Sequence, residues 1–168
     1  NQSKADLFLS IHANSSRDKS ARGIETYYLN FAASDDALEV AARENALSQG
    51  SIHELQDFLK KIAKNEKIEE SREFALEIQE HLSRRLQKVS RNNKNRGVKK
   101  APFVVLIGAN MPSVLAEISF ISNPTDETLL KKGEHRNRVV EGLYHGIEKY
   151  LQNLNSLSFN ASKPEVLR

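Results

Sequence analysis

Two side chains in this sequence have the type and setting to do chemistry. Glu117 lies inside Ser113-Val114-Leu115-Ala116-Glu117-Ile118-Ser119-Phe120, an apolar run with the make-up of a strand buried on both faces. A lone buried carboxylate is costly, so Glu117 is either paired with a cation or a proton-transfer group facing a cleft. His12 closes the stretch Asp6 to His12, in which Leu7, Leu9 and Ile11 share one face and Phe8, Ser10 and His12 the other. Each has an ordinary reading beside the functional one. A strand-end histidine is more often a hydrogen-bonding residue than a metal ligand, and a buried glutamate is as readily ion-paired as catalytic. Together, a histidine closing one strand and a glutamate inside another suggest a metal-assisted hydrolase. The chain has no cysteine, so disulfides and thiolate ligands are excluded and a metal must use His, Asp or Glu.

The elements that must position these residues follow from pattern. Gly23 to Leu29 is rich in aromatic and β-branched residues and reads as a second strand. Ser34, followed by Asp35 and Asp36, suits a helix start, with the helix running to about Ser48. Ser51-Ile52-His53-Glu54 fits a capping box, and Leu55, Phe58, Leu59 and Ile62 behind it form an amphipathic face. A longer helix is expected over about Lys67 to Val89, with the stripe Ile68, Ala75, Ile78, Leu82, Leu86 and Val89. Ser90 to Ala101 reads as a loop, Phe103 to Ile107 as a short buried strand, and Gly108 to Pro112 as a turn. Asn123 caps a helix with Pro124 at its first position. A last helix, about His135 to Asn153, is expected to bury Val140, Leu143, Ile147 and Leu151. Leu154 to Arg168 shows no period and reads as a frayed tail.

Strands alternating with helices predict an α/β fold with a mostly parallel central sheet flanked by helices. In such sheets ligands sit beyond the carboxyl ends of strands, where His12 is placed. A domain over 1–154 is expected, with a tail at 155–168. The helical stretch after the second strand is long for a crossover, and part of it, about 35–82, reads as an inserted regulatory or binding element. A domain that opens on a strand leaves a sheet edge bare, so further sequence is expected ahead of Asn1.

The 168 residues suit one domain, and the net charge of +3 is mild. No apolar run approaches the roughly 18 residues of a membrane span. Arg84 to Lys100 holds eight basic residues and no acidic one. Such a tract could meet nucleic acid or an anionic wall polymer. The favoured reading is a solvated helix end running into a loop, and without interleaved aromatics no nucleic-acid partner is expected.

Six blocks occur in order: Ser10-Ile11-His12-Ala13-Asn14, Gly23 to Leu29, Ala42-Arg43-Glu44-Asn45-Ala46, Arg96-Gly97-Val98-Lys99, Pro102 to Leu106, and Met111 to Pro124. In this the chain resembles the zinc-dependent N-acetylmuramoyl-L-alanine amidases of bacterial cell-wall turnover, the branch that separates daughter cells. The resemblance covers about residues 5 to 151. It implies that His12 is a zinc ligand, that Glu117 is the catalytic glutamate, and that the substrate is peptidoglycan, cut between N-acetylmuramic acid and the L-alanine of the stem peptide. It implies a periplasmic or extracellular location. It also implies two further zinc ligands, a histidine and a glutamate, upstream of the block holding His12, where this chain has no matching residue. These residues alone are therefore expected to bind zinc weakly and to be inactive. His53, His81, His135 and His145 fall outside the matched blocks and read as structural or exposed.

In that branch a helical segment covers the active site until a protein activator moves it. Here the implied counterpart is the 35–82 stretch, in which Glu44 reads either as an exposed helix carboxylate, the default, or as an autoinhibitory metal ligand. The Leu55 to Ile62 face reads first as ordinary packing within the domain, with an activator's docking site as the alternative. Two alternatives stand beside the amidase reading. One is a non-catalytic cell-wall-binding or regulatory module that keeps the fold. The other is a zinc peptidase acting on a different amide.

Overall fold

The computed structural model describes residues 1–46, 67–88 and 93–161. Four strands, β1 (Phe8–Asn14), β2 (Ile24–Leu29), β3 (Asn95–Ala101) and β4 (Ser113–Phe120), form one sheet in the order β1-β4-β2-β3. β1 runs parallel to β4 and β2 parallel to β3, while β2 and β4 are antiparallel. The described helices are α1 (Asp35–Ala46), α2 (Ile68–Gln87), α3 (Pro124–Lys131) and α4 (Gly133–Ala161). The expected class, a mainly parallel sheet between helices, is the one observed.

The sheet has a helical layer on each side. On one face Leu9, Ile24, Val114 and Ala116 pack with Phe74, Ile78 and Leu82 of α2 and Val139, Leu143 and Tyr150 of α4. Each large apolar side chain buried in this way contributes about 1.5–3 kcal/mol. On the other face Phe8, Tyr27, Leu29, Ala101 and Leu115 pack with Ala37, Val40 and Ala41 of α1 and with Phe103 and Leu106. The second half of the 35–82 stretch thus holds a helix packed into the core of the domain. The box at Ser51, with Leu55, Phe58, Leu59 and Ile62, lies outside the described residues.

Four expectations are corrected. Asn95–Ala101, read as loop, is the edge strand β3. Its polar sequence lacks strand propensity, and pairing with β2 overrides that deficit. Phe103 to Ile107 is not a strand: Val104–Leu106 is a single 3₁₀ turn. Asn45 of α1 accepts the Val104 N–H at 2.9 Å and donates to the Pro102 carbonyl at 2.9 Å, taking groups that a ladder would need.

The buried stripe of α4 is rotated from the expected one. Val140 and Leu151 are exposed, whereas Val139, Leu143 and Tyr150 are buried. Gly142 and Gly146 set the contact line, because a Cβ on them would lie 2.9 Å from Leu82 Cα and 2.8 Å from Ile78 Cα. Finally, α4 continues to Ala161, with Leu154 packed on the core rather than frayed. The start of α3 is as expected: the Asn123 side chain accepts from the N–H groups of Thr125 and Asp126, with Pro124 following.

Candidate active site

Strand register assembles the site. The parallel pair puts His12 beside Glu117, and the antiparallel pair puts Glu25 on the other flank of Glu117. Paired residues share a face. His12, Glu117 and Glu25 therefore make a row across the sheet, on the side that α1 covers. The site lies toward the carboxyl ends of β1 and β4, but β2 and β3 arrive there by their first residues because they run the other way.

Glu117 is fully buried, and neither carboxylate oxygen has a hydrogen-bond partner among the described residues. Its carboxyl is pushed up to about 8, first by burial and then by the charges of Glu44 and Glu25, with Arg43 opposing. Of the two sequence readings, a paired structural charge does not describe it.

Glu44 reaches the same point from α1. Its Oε2 lies 2.6 Å from His12 Nδ1, and His12 Nε2 lies 2.9 Å from Ser10 Oγ. Both ring nitrogens are thus engaged, Nδ1 with the Glu44 carboxylate and Nε2 with the Ser10 hydroxyl, which fixes the plane of the imidazole. The Asn45 bonds to the 3₁₀ turn hold this end of α1 in place. One potential ligand atom from each of His12, Glu44 and Glu117 lies within 4.8 Å of the others.

Glu25 is the site residue that sequence reasoning passed over. It is buried yet fully engaged, accepting from Asn14 Nδ2 (2.7 Å), Tyr27 Oη (2.7 Å), Arg96 Nε (2.9 Å) and Lys99 Nζ (2.6 Å). Burial works to raise its pKa, but the Lys99, Tyr27 and Arg96 contacts outweigh that and hold it below the usual range. The same burial in turn raises the Tyr27 hydroxyl, with the Glu25 charge adding to it. The signal that singled out Glu117, a carboxylate within an apolar strand, was present at Glu25 too. Its partners explain part of the basic tract: Arg96 and Lys99 are not a solvated run but the counter-ions of a buried acid.

The remaining histidines stand apart. His81 lies 3.7 Å from Glu77 on α2, and the exposed His145 lies 3.3 Å from Glu148 on α4. His135 is partly buried, which lowers its pKa. His53 lies outside the described residues.

An imidazole and two carboxylates suit zinc, which takes nitrogen and oxygen donors. A buried carboxylate with no partner is what a cation would satisfy. The donor set therefore fits the metal: His12 and Glu44 could hold it, with the Glu117 carboxyl facing it within reach.

Comparison with known proteins bears on the same residues. The family model described as N-acetylmuramoyl-L-alanine amidase matches residues 1–149. The chain is 28% identical to the amidase AmiA of Escherichia coli over 168 residues, covering 95% of this chain and 56% of that protein. It is 31% identical to the amidase LytC of Bacillus subtilis over 147 residues, covering 88% of this chain and 22% of that protein. Among solved structures, the CwlD amidase of Clostridioides difficile in complex with the GerS lipoprotein superposes with a TM-score of 0.60 at 26% identity, over 89% of this chain and 56% of that one. An N-acetylmuramoyl-L-alanine amidase of Clostridium difficile 630 gives 0.62 at 25% identity, over 90% and 61%. The chain thus spans at most about half the length of these curated relatives. With its family match running through the His12, Glu25, Glu44 and Glu117 strands and helix, this chain belongs to the N-acetylmuramoyl-L-alanine amidase family.

Proposed function

We propose that the protein containing this chain hydrolyses the amide between N-acetylmuramic acid and the L-alanine of the peptidoglycan stem, using zinc. The observation that carries the proposal is the unpartnered, fully buried Glu117 carboxylate beside His12 and Glu44. Zinc, when bound, supplies Lewis-acid polarisation of a carbonyl and acidification of water. His12 contributes one nitrogen donor, oriented through its second nitrogen by a hydrogen bond. Glu117, held in a dry setting that keeps its proton affinity high, takes a proton from the attacking water on Oε1 or Oε2. It then hands that proton to the leaving amine.

We propose further that Glu44 occupies the metal site as an inhibitory ligand, with α1 as the covering element. Its 2.6 Å contact with His12 supports this. Relief would come from a protein that displaces α1, and the CwlD–GerS complex is a relative in which an amidase has a protein partner. The enzyme would act outside the cytoplasmic membrane, on the wall polymer. No described helix is long and apolar enough to cross a membrane.

The test is release of stem peptide from purified muropeptides by the complete protein, alone and as Glu117→Gln. General acid–base groups contribute about 10²–10⁴-fold, so the variant is expected to lose activity by that order while still binding zinc. Absence of release by the wild-type protein overturns the proposal in favour of a non-catalytic wall-binding module. Release from other amides only would favour a peptidase.

A further inference from the structure

Beyond Glu25, which flanks Glu117 on the side away from His12, the molecule has an open polar cleft of about 300 Å³. It lies between the loop after β1, the outer face of α1 and the first residues of β3. Arg96 lines it, and three contacts fix how. Its Nε donates to Glu25 Oε2 at 2.9 Å, and its guanidinium lies 5.1 Å from the Phe120 ring centre. Its two terminal amino groups make no hydrogen bond among the described residues, and the side chain is 32% exposed. An arginine held by Nε and rested on a ring presents its remaining N–H groups as an oriented fork. That geometry matches a carboxylate.

Four acids line the cleft, Asp18, Glu25, Asp36 and Glu39; the Asp18 charge interacts with that of Arg96, but among the described residues none of the four hydrogen-bonds its terminal amino groups. Glu39 is bonded to Arg43 at 2.8 Å. Asp18 accepts the Ser20 N–H at 2.8 Å and hydroxyl at 2.9 Å. Glu25 is saturated by its four donors; of the cleft's other cations Arg43 is bonded to Glu39 and Lys99 to Glu25, and the exposed Lys94 lies at the rim. Buried Glu25 thus acts as the anchor that turns Arg96 toward the cleft.

We infer that this cleft is the subsite for a carboxylate of the stem peptide, and that Arg96 recognises it. The inference rests on the amidase reading for the identity of the ligand. Glu117 passes its proton to the leaving amine, so the departing peptide lies on its side of the centre, away from His12. From β4 through β2 to β3 is two strand spacings, roughly 10 Å. A chain advances roughly 3.4 Å per residue. The carboxylate therefore belongs to the second or third residue of the peptide beyond the cut bond.

Synthetic muramoyl peptides with the carboxylates of the second and third residues amidated in turn give the test. Binding is read by calorimetry on the complete Glu117→Gln protein, whose turnover is expected to be slower by about 10²–10⁴-fold, and kcat and KM are read on the wild type. Amidation at one of the two positions is expected to weaken binding and raise KM by about tenfold, the factor that ~1.4 kcal/mol produces. In Arg96→Lys, which keeps the charge but not the fork, the preference for the free acid should fall below about threefold with the melting temperature retained. If neither amidation weakens binding to the Arg96 protein, the subsite is overturned, whether or not Arg96→Lys folds. An undiminished preference in a folded Arg96→Lys also overturns it. If the wild type cleaves nothing yet the Arg96-dependent acid preference persists in binding, the amidase reading fails and the carboxylate site stands.

Discussion

Glu117 should make the metal-free protein less stable as the solution becomes more basic. In the unfolded chain its carboxyl titrates near 4.5, and in the folded protein near 8. Between these values the folded state holds a proton that the unfolded state has released, so stability falls as pH rises through this window and is level above it. Each pH unit of separation corresponds to about 1.4 kcal/mol, which sets a ceiling of roughly 5 kcal/mol. Water entry and relaxation around an ionised buried group reduce such penalties, leaving about 2–4 kcal/mol. Glu117→Gln removes the titration and nearly preserves the shape. In chelator, the variant should match the wild type within about 1 kcal/mol at pH 4.5 and exceed it by about 2–4 kcal/mol at pH 8.5. At roughly 2–4 °C per kcal/mol for a domain of this size, the melting temperature should rise by about 4–16 °C at the higher pH only. Urea unfolding at the two pH values is the assay. A variant no more stable than wild type at pH 8.5, or equally shifted at both, would refute the reasoning that desolvation and the Glu44 and Glu25 charges govern this carboxyl.

Gly146→Ala should destabilise by about 1–2 kcal/mol in urea midpoint analysis. Its Cβ would meet the α2 backbone at Ile78, and that overpacking outweighs the roughly 1 kcal/mol gained in helix propensity. Gly133→Ala, with nothing nearer than 3.9 Å, is the control that should not destabilise. Glu44→Ala in the complete protein should raise basal stem-peptide release several-fold without an activator; an unchanged or lower rate would remove the inhibitory role.

The sequence by itself determined the strand that holds Glu117, the strand that carries His12 (which runs on two residues further, to Asn14), the Asn123 cap and the α/β class. Each follows from local pattern: apolar runs, alternation, and a cap residue ahead of proline. It also indicated which acid was out of place at Glu117. What it did not determine was the company these residues keep. Arg96 and Lys99 are three apart and would fall on opposite faces of a regular strand. A register shift between Ile24 and Thr26, opposite Gly97 with its φ of +81°, brings both to Glu25. The α4 stripe likewise depended on glycines whose role exists only once α2 lies against them. Only the tertiary structure decided that His12, Glu117 and Glu25 stand side by side. Register between strands this far apart in the chain is set by cross-strand hydrogen bonding and packing of both faces, and those forces leave no mark in the local order of residues.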